Sequence, residues 1–526
     1  MATDKILKQA STAIIKEIAN LKPDSKEQLL DIERKVLQTY HLSFIPFYYL
    51  LQVYQKLVKK QQIRSSPKLE ELLKKVSIRS ASGITAVTLI TKPYPCPGNC
   101  LYCPNIPSMP KSYLPDEPAC MRALATKFDP FDQMASRIKM LQLNGHNTDK
   151  IELIILGGTW SFYPKNYQTY FIKRAFDAAN GITSKSLKEA QHLNERSLNR
   201  IIGLTIETRP DYINPKEIGR LRQLGVTRVE LGIQAIDDQI LKINNRGNTV
   251  ADIIQATKLL KNSGFKITYH MMLNLPGSTI KKDEAMFEEL FSNANFQPDQ
   301  LKIYPCVVLK EAPLYQKYLT GEYQPYSDKE LINLLIRIKT KIPPYVRIVR
   351  VIRDIPAFDI VAGNKTSNLR QLLLEKMAQQ NKHCRCLRCR EPHDTPIDFT
   401  KIKLIRRDYE ASEGKEIFLS YEDTKNDKVL SFLRLRITAQ WSIKELTGSV
   451  LVRELHSYGI LAPLNKNQKT NVQHRGLGKK LMIFAEKIVK KETPYKKIAV
   501  ISGIGVRDYY RKLGYRLNGT YLVKKL

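Results

Sequence analysis

Cys96-Pro97-Gly98-Asn99-Cys100-Leu101-Tyr102-Cys103 places three thiols in one short run. Three thiolates at this spacing can hold a [4Fe–4S] cluster and leave one iron without a protein ligand. A three-thiolate zinc knuckle is the other site such a run can build. What surrounds the run narrows the fold. The apolar stretch Ile84–Ile90 ends just ahead of it, and short apolar runs alternate with amphipathic segments behind it. The runs Ile151–Leu156, Ile201–Ile206, Arg228–Leu231, Lys266–Met272 and Gln300–Tyr304 predict strands. Pro130–Leu143, Tyr167–Ala179, Pro215–Leu224 and Val250–Asn262 predict the helices between them. Six strand–helix steps predict parallel strands in a full or partial barrel, with sites at the C-terminal ends of the strands.

Residues 1–78 have apolar residues at helical spacing (Ile6, Ile14, Ile15 and Ile18, then Leu29, Leu30, Val36 and Leu37), broken at Pro23 and Pro46. Residues 79–344 hold the strand–helix series. A connector, 345–398, carries Cys384-Arg385-Cys386-Leu387-Arg388-Cys389. This CxCxxC run suits structural zinc, with a second iron–sulfur cluster as the rival, and Cys384, Cys386 and Cys389 are the metal ligands in either case. Zinc wants a fourth ligand, and His383, His393 and His270 are the candidates. Residues 399–526 change character. Ile417–Tyr421, Val429–Ile437 and Ser449–His456 predict antiparallel strands. A helix over Gly476–Lys491, a strand at Lys497–Ser502, a short helix at Val506–Leu513 and a last strand near Tyr515–Val523 complete the prediction.

Gln473-His474-Arg475-Gly476-Leu477-Gly478 opens that long helix. Glycines there let backbone N–H groups approach a pyrophosphate, and the helix dipole favours the anion. Tyr510 follows the next strand, where its hydroxyl can protonate a departing CoA thiolate. Tyr509 is assigned to the core.

The net charge is +34, with 85 Lys and Arg against 51 Asp and Glu. Such an excess points to a polyanionic partner, since each neutralised phosphate releases a counterion. The eight cysteines include two tight triplets, which suit metal ligation rather than a disulfide scaffold. No apolar run is long enough to span a bilayer, and the N-terminus lacks a signal-peptide core. A cytoplasmic location with no membrane partner is expected.

With these residues in hand, the chain resembles the catalytic subunit family of Elongator and its stand-alone bacterial and archaeal relatives. The resemblance runs from Arg79 to the C-terminus. It is carried by Ser82-Gly83-Ile84, Cys96–Cys103, Gly157-Gly158-Thr159, Glu207-Thr208-Arg209-Pro210-Asp211, His270-Met271-Met272, Lys302-Ile303-Tyr304-Pro305, Cys384–Cys389, Arg453-Glu454-Leu455-His456, Gln473–Gly478 and Gly505–Gly514. It implies an α/β fold: a radical-SAM partial (β/α) barrel joined through a zinc-binding connector to a GNAT acetyltransferase domain, with a helical N-terminal region. It also implies a [4Fe–4S] cluster on Cys96, Cys100 and Cys103 that cleaves S-adenosylmethionine (SAM), with Gly157 and Gly158 meeting the methionine end.

By the same resemblance, acetyl-CoA is bound by Lys150, by Glu454, Leu455, His456 and Ser457, by Gln473, Arg475, Gly476, Leu477, Gly478 and Lys479, and by Tyr510. Lys150 and Tyr510 are the candidate catalytic residues. The implied substrate is the wobble uridine in a tRNA anticodon loop. A methyl hydrogen of acetyl-CoA would be abstracted, and the acetyl radical would add to uracil C5. Loss of an electron and a proton, with thioester hydrolysis, would leave 5-carboxymethyluridine. The resemblance leaves open whether the protein works alone or with Elongator-like partners. Cys306, and Leu273 where relatives usually carry Pro, depart from the family pattern. A rival reading is a lysine acetyltransferase with a structural cluster, using Glu454 or His456 as base.

Overall fold

Strict alternation of outward apolar and inward polar residues builds the first sheet. The computed structural model describes residues 2–73, 83–392, 395, 397–458 and 476–526. Seven strands, β1 (Thr85–Ile90), β2 (Lys150–Leu156), β3 (Arg200–Thr208), β4 (Arg228–Gln234), β5 (Lys266–Leu273), β6 (Gln300–Pro305) and β7 (Arg347–Arg350), pair in sequence order. Every pairing is parallel, and the sheet curls into a half-barrel. Leu153, Ile155, Leu204, Ile206, Val229, Leu231, Ile267, Met271, Leu301 and Ile303 face the covering helices and are fully buried. The six predicted strands and four predicted helices are all present. Pro130–Leu143 and Pro215–Leu224 have the predicted ends. Their starts are set by Asp129 and Asn214, whose side chains accept the Asp132 and Glu217 backbone N–H groups. The seventh strand, Arg347–Arg350, lies in the stretch predicted as connector.

The second sheet contains β8 (Ile402–Glu410), β9 (Lys415–Asp423), β10 (Lys428–Ile437), β11 (Val450–Ser457), β12 (Lys497–Val500), β13 (Arg516–Asn518) and β14 (Tyr521–Lys525). Its order is β8-β9-β10-β11-β12-β14-β13. β11 and β12 run parallel, but their pairing ends at Val452 and Val500. Arg453 to Ser457 therefore have no strand on that side, and the sheet splays open there. The helix Leu477–Glu492 packs Leu481, Met482, Ala485, Ile488 and Val489 onto this sheet. Two features differ from the prediction. Strand β8 is a half-exposed edge whose charged residues masked its apolar periodicity. The predicted last strand is a hairpin, turned at Gly519-Thr520 between the paired Asn518 and Tyr521, with Gly519 at a φ of 57° that favours glycine.

The N-terminal helices Ala2–Leu21, Lys26–Thr39 and Phe47–Lys59 break near Pro23 and Pro46 and bury their own core around Ile14, Ile18, Leu37 and Leu50. No helix among the described residues is long and apolar enough to cross a membrane.

The two sheets are tied by buried charges. Arg453 occupies a bulge in β11, between the paired Val452 and Glu454. It donates to Asp299 Oδ1 at 3.0 Å and Oδ2 at 2.5 Å, to Phe265 O at 2.8 Å and to Glu416 Oε2 at 3.1 Å. Arg436 reaches across to Asn262 Oδ1 at 3.0 Å. Burial alone would raise the Asp299 carboxyl, but Arg453, Lys261 and Arg434 reverse this and hold it well below its usual range. Backbone contact is equally close, since a Cβ on Gly503 would collide with the Ile202 carbonyl of β3.

Asp299→Ala should therefore lose about 3–5 kcal/mol of stability, because it leaves Lys261 buried without its carboxylate and Arg453 with Glu416 alone. Chemical denaturation measures this. A lowered folded pKa means the wild-type contribution is full above about pH 4 and lost as pH falls below it, so the two proteins should converge in stability in acid.

Candidate functional site

The parallel sheet has two ends, and each end carries a site. At the C-terminal end, Cys96, Cys100 and Cys103 lie in the loop after β1, Cys100 buried and the others half-buried. Arg246 Nη1 lies 3.6 Å from Cys100 Sγ, and Thr159 Oγ1 lies 3.7 Å from Cys96 Sγ. Burial and the neighbouring Cys100 and Cys96 push the Cys103 thiol up to about 12. A thiol held as Cys103 is becomes a thiolate readily only when a metal centre takes the place of its proton. Arg209 Nη1 packs against Gly98 of this loop, buried and without a hydrogen-bond partner. That orphaned donor fits a site built around a further group.

Gly157 and Gly158 follow β2 with φ values of 138° and 90°. A Cβ on Gly157 would collide with Thr91 Oγ1, so only glycine lets the β1 and β2 loops meet here. Gly157, Gly158, Thr91 and Glu207 line a small crevice beside the cluster loop.

Between the two ends, the concave face of the half-barrel is polar. Glu230 Oε2 meets His270 Nε2 at 2.9 Å and also pairs with Lys302. His270 Nδ1 lies 3.5 Å from Glu207 Oε1, which belongs to the carboxylate that accepts from Tyr113. Lower down, Arg228 donates to Thr205 at 2.9 Å and to Gln300 at 3.3 Å, and its Nη1 lies 2.9 Å from Glu152 Oε1. Burial opposes ionisation of Glu230, but Lys302 and His270 outweigh it and hold the carboxyl far below its ordinary range.

At the N-terminal end, a cavity of about 370 Å³ is shared by both sheets. The half-barrel contributes strand starts: Lys150 and Glu152 of β2, Gly203 of β3, Arg228 of β4, Lys266 of β5, Gln300 of β6 and Arg347 of β7. The second sheet contributes Glu454, Leu455, His456 and Ser457 from the splayed part of β11, Gly476, Gly478 and Lys479 from the helix start, and Tyr509 and Tyr510. The cavity thus gathers Lys150, Glu454–Ser457, Gly476, Gly478, Lys479 and Tyr510 from four separate stretches of chain. Leu477 is buried under the helix start. Gln473, Arg475, His393 and Ser82 lie outside the described residues.

Burial pushes the Tyr510 hydroxyl well above its usual range, so it stays protonated at neutral pH. Tyr509, assigned to the core by sequence, is 39% exposed at the cavity wall. Glu454 bonds Arg434 Nε at 2.9 Å and lies 3.7 Å from Lys266. Burial would raise its carboxyl, but these cations lower it, which makes it a weak base. Burial likewise lowers His456 and keeps it neutral.

The second cysteine triplet forms a separate centre. Cys384, Cys386 and Cys389 have sulfurs all within 4.8 Å of one another, the one such group among the described residues. Hydrogen bonds from Cys384 and Cys389 hold Cys386 well below its usual range. This is the donor set of a thiolate metal site, and its close spacing suits a single ion. The Cys96 triplet is set wider, as a cube of irons requires. Of the candidate fourth ligands, His270 is held by Glu230 and Glu207 in the half-barrel, and His383 is exposed outside the group. Leu387, inside the triplet, packs on Phe418, Phe432 and Tyr458 and lines the shared cavity.

The lining of the half-barrel carried a sequence signal: Thr205 and Glu207, Arg228 and Glu230, Thr268 and His270, and Gln300 and Lys302 all sit two apart in buried strands. Alternating polar residues are unusual in parallel strands covered on both faces.

Residues 93–290 match the Radical SAM superfamily, and residues 298–379 match the Radical_SAM C-terminal domain. The chain is 48% identical over 469 residues to the tRNA uridine(34) acetyltransferase of Methanocaldococcus infernus, covering 86% of this chain and 88% of that protein. It is 42% identical over 471 residues to human Elongator complex protein 3, covering 86% of each. The solved structure of the M. infernus Elp3 with an N-terminal deletion (1–46) superposes with a TM-score of 0.76 at 46% identity, covering 85% of this chain and 100% of that one. With a half-barrel bearing a cysteine loop at one end and an acetyltransferase sheet closed over the other, the chain belongs to the family of tRNA uridine(34) acetyltransferases and Elongator complex protein 3.

Proposed function

We propose that this enzyme adds a carboxymethyl group from acetyl-CoA to C5 of the wobble uridine of tRNA. The observation that supports this most strongly is the single cavity lined jointly by the half-barrel floor and the acetyltransferase sheet. An enzyme that merely carried two independent activities would have no need to share one.

Cys96, Cys100 and Cys103 would hold the cluster, with Arg246 balancing its charge and Gly157 and Gly158 accommodating SAM. When bound there, the cluster supplies the electron that releases a 5′-deoxyadenosyl radical from SAM. The N–H groups that open the Leu477–Glu492 helix would take the CoA pyrophosphate. Lys150 brings a cation from β2, which burial lowers below its ordinary range. Tyr510, still protonated, is placed to donate to the leaving thiolate. Cys384, Cys386 and Cys389 would hold zinc and so fix the Leu387 wall of the cavity. The charge excess suits an RNA partner, and an anticodon-loop base can be splayed into a site without breaking a duplex. The lysine acetyltransferase reading is weakened, because Glu454 is tied to two cations and desolvation lowers the basicity of His456.

Three outcomes are expected. With reconstituted cluster, SAM, reductant, acetyl-CoA and unmodified tRNA, nucleoside mass spectrometry should find carboxymethyluridine. Cys100→Ala should abolish it without weakening acetyl-CoA binding, and Tyr510→Phe should slow it by about 10²–10⁴-fold. Removing the metal from the Cys384 group with a chelator should weaken acetyl-CoA binding in calorimetry while the Cys96 cluster absorbance persists. Finally, tRNA affinity should fall steeply between low and physiological salt, giving a linear log–log plot with negative slope.

A further inference from the structure

We propose that the floor of the half-barrel is the acyl-end subsite. Arg228 and Gln300 receive the thioester end of acetyl-CoA there, and Gly203 leaves the gap through which that end enters the lumen. This rests on the acetyl-CoA reading given above, but it assigns residues of the radical domain rather than of the acetyltransferase domain.

Three observations carry the proposal. First, the cavity has a direction. It begins at Gly476, Gly478 and Lys479, where a helix start suits the pyrophosphate, and it ends among the strand starts of the half-barrel. A CoA anchored at its phosphates therefore extends its acyl end toward the floor. Second, the side of the β11 splay where an acetyltransferase would admit its acceptor is faced by the floor residues Arg228, Lys266 and Gln300. Third, the floor is polar and almost closed to solvent. Arg228 and Gln300 are 7% and 4% exposed. Glu152, in the same layer, pairs with Arg228 through Oε1 at 2.9 Å.

The lumen above the floor supports the same assignment. Two residues along each strand, about 7 Å, separate the Arg228–Gln300 layer from the Glu230–Lys302–His270 layer. Burying these charges is expensive, and packed apolar side chains of similar volume would often be at least as stable. A lumen kept polar from floor to cluster loop suits a path toward the radical end, whereas a packed plug would close it. Gly203 sits where this path meets the cavity. A Cβ there would lie 3.6 Å from Thr227 Oγ1 and 3.7 Å from Glu152 Cγ, which is ordinary contact. Alanine fits at this position, and a longer side chain would fill the entrance.

The test uses full-length wild type, Gly203→Ala, Gly203→Leu and Gln300→Leu, each first checked for thermal unfolding and cluster absorbance. Calorimetry compares acetyl-CoA with 3′-phospho-ADP, which lacks the pantetheine arm and acyl end. Gly203→Leu is expected to weaken acetyl-CoA by about tenfold or more through overpacking, with 3′-phospho-ADP unchanged. Gly203→Ala adds only a Cβ in ordinary contact and should weaken acetyl-CoA less than Gly203→Leu does. Gln300→Leu should weaken acetyl-CoA alone by about three- to tenfold, and it carries the test if Gly203→Leu does not fold. Folded Gly203→Leu or Gln300→Leu protein that binds acetyl-CoA like wild type overturns the subsite. A parallel assay with trideuterated acetyl-CoA follows deuterium into 5′-deoxyadenosine. Label in wild type and equal label in Gly203→Leu also overturns the subsite. No label even in wild type, with the floor variants still selectively losing acetyl-CoA, overturns the radical reading and leaves the subsite standing.

Discussion

The contact between Arg453 and Asp299 fixes the relation of the two sheets, and the cavity exists only because that relation is fixed. Asp299 stands just before β6, where its second oxygen also accepts the Ile267 N–H at 2.9 Å. Arg453 stands in the bulge of β11, one residue from Glu454. A rigid donor fork meeting two carboxylate oxygens sets both distance and orientation. It therefore registers the splayed half of β11 against the starts of β5 and β6. A hydrophobic contact would hold the sheets together as strongly, but it would tolerate sliding. The buried charge network costs desolvation and supplies register in return, which is the best-attested use of such groups.

That register explains an unusual division of labour within one sheet. Loops at the C-terminal ends of parallel strands usually carry the chemistry, and the opposite end usually serves stability. Here the cysteine loop and the Gly157-Gly158 turn follow the usual rule. The opposite end is not sealed by loops, because the second sheet is docked on it. The starts of six strands, β2 to β7, become a wall of a ligand cavity. Between the ends the inner face of the half-barrel carries the buried Arg228, Glu230, His270 and Lys302, so the half-barrel has an apolar outer face and a largely polar inner one.

Much of this was legible in the chain. The cysteine run, the glycine loop before a helix and the strand–helix alternation are local patterns, and local patterns survive reading one residue at a time. The helix Pro130–Leu143 could be placed to the residue because Asp129 and Pro130 mark its start chemically. β7 was not legible, because Arg-Ile-Val-Arg is four residues long and polar at both ends, with no periodicity to count. β8 failed for a related reason, since an edge strand exposes its charges. Gly519 offered a turn signal that was passed over, which merged two strands into one. The docking of the second sheet under the first had no local signature at all. Arg453 and Asp299 are 154 residues apart, and nothing in either neighbourhood announces the other.

The same geometry separates the two chemistries that the sequence left in competition. An amine acceptor needs a base and an approach to the acyl carbon. Glu454 is the nearest carboxylate on β11, yet Arg434 and Lys266 stabilise its charged form and so weaken it as a base. His456 is half-buried, stacks on Phe432 with centroids 5.7 Å apart and meets Tyr458 edge-on at 4.6 Å, and desolvation lowers its basicity. Tyr510 has the opposite character: burial raises it, so it keeps its proton and can only donate. A site whose carboxylate is neutralised and whose hydroxyl is held protonated is poor at deprotonating an incoming nucleophile and well suited to releasing a thiolate. Carbon-centred chemistry at the methyl group needs no base at the acyl carbon. It needs the acyl end to be enclosed and pointed at the radical, and the half-barrel floor is the part of the cavity that lies on that side.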